Sequence, residues 1–130
     1  MTKATDLARE MNVFDPGCTS RAVLEHATGR WGSLVLASLV DRPLRFAEVR
    51  RAVTGIGDRM LSQTLQRLEA DGLVSRTERS TIPPHVEYAL TDLGRPIAER
   101  VCDLIEAIYR QLPGIVAHQR SADEASRPGA

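Results

Sequence analysis

A four-residue turn, Thr54-Gly55-Ile56-Gly57, restricts this chain more than any other feature in it. Before it lies a short helical segment from Phe46 to about Val53. After it lies a second, Asp58–Asp71, with Gly72 placed where a glycine ends a helix. Helix, short glycine-containing turn, helix is a helix-turn-helix arrangement. Next comes Leu73–Arg79, whose β-branched residues and partial alternation predict a strand. Ser80–Pro84 holds Pro83-Pro84 and can only be loop or edge. His85–Leu90 alternates again, with Val86, Tyr88 and Leu90 on one face. Two strands directly after a helix-turn-helix make a wing.

The flanks are helical by periodicity. Asp15-Pro16-Gly17 marks a turn, after which Thr19 or Ser20 is placed to cap a helix to about Ala27, with Val23 and Leu24 inward. Thr28-Gly29 breaks it. A second helix follows from about Trp31 to Val40 and ends at Asp41-Arg42-Pro43. Thr91 is placed to cap a last helix from Asp92 to about Leu112, which Pro113-Gly114 ends or kinks. The fold class expected is therefore mainly α with a small β-wing: a winged helix-turn-helix. Residues 1–17 are expected as a flexible arm, 18–112 as the domain and 113–130 as an extension with a disordered tail over Ser121–Ala130.

Charge sums to zero, with 17 basic and 17 acidic residues in 130. That balance excludes a polycationic tail or a charged disordered chain. The sum hides a dipole. All basic residues but Lys3 are arginines, and Arg42 to Arg79 holds eight of them against five acids. Arginine supplies a planar fork suited to phosphate and guanine. No apolar run reaches the roughly 18 residues of a membrane span, and Met1–Glu10 does not resemble a signal peptide. A cytoplasmic protein is expected.

On a helical wheel of Asp58–Asp71, Leu61, Leu65 and Leu68 converge on one side. Nearly opposite lie Arg59, Gln63 and Gln66, with Ser62 beside them and Arg67 at the edge. A guanidinium, two amides and a hydroxyl can bond base edges in a major groove. An ordinary solvated face usually mixes Glu and Lys, and this one has neither before Glu69. Arg76 and Arg79 on the wing, and Arg45 before the first helix of the pair, are placed to meet phosphates. His85 could join them or stand by.

The chain resembles the HxlR family of bacterial winged helix-turn-helix transcription regulators. The resemblance is carried by Gly29-Arg30-Trp31, Arg45-Phe46-Ala47-Glu48-Val49-Arg50-Arg51 and Ile56-Gly57-Asp58-Arg59-Met60-Leu61. It continues through Leu65–Val74 and Pro83–Gly94, and spans about Cys18 to Leu112 in order. It implies homodimers on partly palindromic double-stranded operators, with Asp58–Asp71 in the major groove and the wing alongside. It also implies dimerisation through the N- and C-terminal helices, and a cysteine before the first helix, where Cys18 falls. In several relatives that cysteine senses quinones, aldehydes, hypochlorite or disulfide stress. The family follows it with proline, and here Thr19 stands there. Arg30 keeps a positive charge where the family has lysine, and joins the flanking set.

Cys18 is thus the redox-sensing candidate, with a small electrophile or oxidant as effector. A sensor thiol should be exposed and favoured as thiolate, and a predicted helix start near Arg21 suits that. A half-buried cysteine without a redox role is the other reading, and Cys102 reads as packing. Neither cysteine belongs to a metal-spacing motif, and no cofactor is expected. The last helix carries a seam of Leu93, Ile97, Val101, Leu104, Ile105, Ile108 and Leu112, expected to form the dimer interface. Two rivals to a DNA-binding repressor remain: a winged-helix protein-interaction module, and an enzyme with Cys18 as nucleophile. The second lacks a base, since His26, His85 and His118 form no motif with Cys18.

Overall fold

The computed structural model describes residues 4–128. In chain order it contains α1 (Ala4–Glu10), α2 (Thr19–Thr28), α3 (Gly32–Ser38), β1 (Leu44–Arg45), α4 (Phe46–Ala52), α5 (Asp58–Ala70), β2 (Val74–Arg79), β3 (His85–Leu90) and α6 (Gly94–Ser126). The sheet is antiparallel in the order β1-β3-β2, with Leu44 opposite Tyr88 and Val74 opposite Leu90. Val35, Leu36 and Leu39 of the α3 region, Val49 of α4, Leu61, Leu65 and Leu68 of α5, and Val74 of β2 form the centre of the core. Ala98 and Val101 of α6 close it.

Two glycines turn the chain around α5. Gly55 (φ +94°) lies in the turn from α4, and Gly72 (φ +80°) follows the C-terminus of α5. Both need the left-handed region that an L side chain resists. At Gly72 the N–H groups of Gly72 and Leu73 return to the carbonyls of Glu69 and Leu68, each at 2.9 Å, a Schellman ending. The Thr91 hydroxyl then joins two elements: it donates to the Gly72 carbonyl at 2.5 Å and accepts from the Gly94 N–H at 3.0 Å. One side chain thus fastens the end of α5 to the start of α6, which begins at Gly94, not Asp92, with Leu93 and not Thr91 at its N-cap.

Several expectations need correction. Cys18, not Thr19 or Ser20, occupies the N-cap of α2, because Thr19 is already helical. Val23 is half-buried but Leu24 is exposed. The arm is not featureless: Ala4–Glu10 is helical, while Met1–Lys3 lie outside the described residues. Pro113 does not end α6, which runs 33 residues, about 50 Å at 1.5 Å per residue. Proline removes one helical hydrogen bond, and the Ile115–Arg120 residues that follow sustain the helix around that gap. Ser121–Ser126, expected as disordered tail, belong to the same helix. Gly129 and Ala130 lie outside the described residues. β1 was not anticipated.

Candidate nucleic-acid interface

α5 stands between two hollows. Its leucines face the core, together with Thr64, whose hydroxyl is satisfied by the Met60 carbonyl at 2.7 Å. On the wing side, Ser62 and Gln66 line a hollow of ≈ 410 Å³ with Phe46, Arg76 and Tyr88. There the Gln66 amide donates to the Ser62 hydroxyl at 3.3 Å. On the other side, Met60, Thr64 and Arg67 face Arg30 and Trp31 across a cleft of ≈ 500 Å³. Arg59 and Gln63 line neither and occupy the crest between them. The five polar residues grouped by the wheel are thus spread over a crest and two flanks.

The arginines divide by whether they are already paired. Arg76 bonds Glu78 at 3.3 Å, Arg79 bonds Glu87 at 3.1 Å, and Arg50 ties α4 to the start of α5 through Asp58 at 2.6 Å. Hydrogen bonds to the Tyr88 hydroxyl and to Glu78 hold the Arg76 guanidinium still more firmly charged. Arg30, Arg45, Arg51, Arg59 and Arg67 enter no ion pair among the described residues. None of the five is held by a carboxylate in direct contact, although Glu48 and Glu87 border the hollow that Arg45 and Arg51 share. Arg45 precedes α4, and its backbone N–H donates to Glu48 at 2.9 Å. That bond, with Arg42, holds the Glu48 carboxyl below the usual carboxylate range. Arg45 and Arg51 border one hollow with Arg42. Arg51 was not among the sequence candidates. Its place in the last turn of α4, one residue after Arg50, was the available signal.

His85 does not reach outward from the wing. Its ring lies between the Thr81 hydroxyl and Glu87, each at 3.1 Å. His85 first and Arg79 second hold the Glu87 carboxyl below its ordinary range. His85 thus ties the wing loop to Glu87 of its own strand, while Arg79–Glu87 joins β2 to β3. The wing tip instead presents Ile82, fully exposed between Thr81 and Pro83.

Cys18 is buried, at 5% exposure, not open as a sensor thiol was expected to be. The Asn12–Gly17 loop covers it, and its Sγ lies 2.7 Å from the Asn12 carbonyl and 2.9 Å from the Ser20 hydroxyl. Burial pushes this thiol up. Hydrogen bonds from the Ser20 hydroxyl and the Arg21 backbone outweigh it, and the net shift is downward. Cys102, half-buried on α6, is pushed up by burial and by Asp103, Asp41 and Glu99.

The α6 seam also splits. Val101 belongs to the domain's own core, and Ile97 and Ile105 pack partly against it. Leu93, Leu104, Ile108 and Leu112 are exposed, with Tyr109 and Ile115 beside them. Among the described residues, no helix is long and apolar enough to cross a membrane.

A helix pair joined by a glycine turn, a two-stranded wing and a short third strand define a winged helix-turn-helix protein. The sequence profile of the HxlR-like helix-turn-helix family matches residues 26–115, and the chain belongs to that family of transcriptional regulators. It is 44% identical over 109 residues to the HTH-type transcriptional regulator YtfH of Escherichia coli (strain K12), covering 84% of this chain and 86% of that one. Among solved structures it is similar to the transcriptional regulator YtfH of Salmonella typhimurium, with 43% identity and a TM-score of 0.77 over 84% of this chain and 97% of that chain. It is also similar to the redox regulator HypR in its oxidised form, with 35% identity and a TM-score of 0.65 over 72% of this chain and 96% of that chain.

Proposed function

We propose that this protein binds a specific double-stranded operator as a homodimer and represses transcription by occupying it. The observation that carries the reading is the α5 crest. Arg59, exposed, and Gln63, half-buried, lie on the side of the helix turned away from the core, and Arg59 has no carboxylate partner among the described residues. A free guanidinium and an amide on a projecting helix can read guanine and adenine edges. Arg45 and Arg51 on one flank and the wing on the other supply phosphate contacts that fix register. The exposed Leu104, Ile108 and Leu112 on α6 support a two-fold pairing that presents two α5 helices to successive major grooves about 34 Å apart. The protein acts in the cytoplasm, on the nucleoid.

A thiol-dependent response belongs to the same reading. Its support is the lowered Cys18 thiol and the likeness to a regulator solved in an oxidised form. The effector is an oxidant or a small electrophile. Burial of Cys18 means that the Asn12–Gly17 loop must open before it reacts.

The test is selection of bound genomic fragments followed by titration of the best fragment at several salt concentrations. Affinity should fall with a log-log slope of about −0.9 per phosphate contact. Arg59→Ala should cost about 1–3 kcal/mol and relax base choice, whereas Arg51→Ala should weaken all sequences alike. Flat salt dependence, or no loss in either variant, would favour a protein-interaction module.

A further inference from the structure

A cleft on the α2 side of α5 lies off the crest that carries Arg59 and Gln63. It measures ≈ 500 Å³ and lies between the end of α2, the Gly29–Gly32 turn and α5. That is within the range of small-molecule sites, which are mostly apolar with a few placed polar groups. Trp31 and Met60 supply the apolar part. Arg30 lies over the Trp31 ring, its guanidinium carbon 4.7 Å from the ring centroid, so one fork is held in place by stacking. Arg67 lines the same cleft from α5.

The charges around it are unequally satisfied. Glu25, also in the lining, is paired with Arg21 at 2.8 Å, and His26 is paired with Asp71 at 2.6 Å. Arg30 and Arg67 have no carboxylate partner among the described residues. Two free forks over an indole and a thioether make a cleft complementary to a flat body bearing an anion. Guanidinium forks meet carboxylates through paired N–H···O bonds, and the stacked Arg30 has less freedom to lose on binding.

We propose that this cleft binds a planar organic carboxylate of one or two rings, held by Arg30 and Arg67 against Trp31 and Met60. Both arginines then serve an effector site on the flank of α5, not a base-reading surface. Met60, Thr64 and Arg67 all belong to α5, so occupancy acts directly on the helix that carries Arg59 and Gln63. This regulatory half rests on the DNA-binding reading; the binding half does not.

Trp31 is the only tryptophan, so its indole N–H gives a single, self-assigned signal in a nitrogen–proton correlation spectrum. Titration of the full-length protein with naphthoate should move that signal saturably. Naphthamide, the neutral isostere, should bind at least about tenfold more weakly. Arg67→Ala and Arg30→Ala should each weaken naphthoate by about tenfold, and Arg100→Ala, on an exposed face of α6, should not. Equal binding of the amide, or indifference to both cleft arginines, would overturn the proposal. So would a Trp31 signal moved by inorganic phosphate or by duplex DNA but not by naphthoate, which assigns the forks to a DNA phosphate. With the selected operator present, naphthoate should change affinity at least about threefold and naphthamide should not. Should DNA binding itself fail, the titration of the protein alone still decides the site.

Discussion

His26 Nδ1 and Asp71 Oδ2, 45 residues apart in the chain, meet at 2.6 Å. The pair joins the last turn of α2 to the C-cap of α5. α5 is therefore held at its C-terminal end by a side chain from the helix nearest the N-terminal arm. His26 also lines the cleft beside Arg67. α2 and the proposed reading helix are thus joined by a side-chain hydrogen bond as well as by packing.

Breaking that bond should loosen α5 without unfolding the domain. Asp71→Asn keeps the shape but removes the carboxylate, and His26→Ala removes the partner. Each should lower stability by about 1.5–3 kcal/mol, the range for hydrogen bonds involving a charged group. Chemical denaturation of single and double variants would show a coupling between the two positions. Strict additivity would mean that the contact contributes nothing.

Substitutions at two α6 glycines should have opposite signs. A Cβ on Gly94 would overlap the backbone carbonyl of Leu73, so Gly94→Ala must displace α6 from the link between α5 and β2. Overpacking of this kind costs about 1–3 kcal/mol. Gly114 has nothing within 4 Å of an added Cβ and lies inside the helix. Gly114→Ala should stabilise by up to about 1 kcal/mol through helix propensity. Thermal melts of the two variants should move in opposite directions.

Periodicity made much of this legible. Leu61, Leu65 and Leu68 face the core, and the Gly72 ending lies where the residues put it, because a 3.6-residue repeat and a left-handed glycine are local signals. β1 escaped notice because Leu44-Arg45 is too short for a pattern and forms only against the edge of β3. The exposure of Cys18 was unreadable because its cover, Asn12–Gly17, is polar loop whose packing leaves no periodic trace. The His26–Asp71 contact and the cleft beside it join residues distant in the chain, which no spacing rule reaches.

The two cysteines should differ in the pH at which they react. In a Cys102→Ser protein, alkylation of Cys18 should show a midpoint below that of an ordinary thiol, since hydrogen bonds favour its thiolate. In a Cys18→Ser protein, the midpoint for Cys102 should lie above it, because burial and nearby carboxylates oppose the charge. Ser20→Ala should move the Cys18 midpoint upward by removing the 2.9 Å contact. A Cys18 midpoint unaffected by Ser20→Ala would show that the hydroxyl does not set the thiol's acidity.

Val101 and Ile108 lie two turns apart on α6 but have different surroundings, and substitution should separate them. Val101 is 6% exposed within the core, whereas Ile108 is 47% exposed in the single chain. An aspartate at position 101 buries an unpaired charge, and Val101→Asp should abolish cooperative folding. Ile108→Asp places its charge on a face that is wet in the monomer and dry in a dimer. The domain should therefore fold with its secondary structure intact while the dimer dissociates, losing at least about tenfold in association constant. Light scattering against concentration reads the assembly, and circular dichroism reads the fold. Unchanged assembly in Ile108→Asp would show that this exposed face is not where two copies meet.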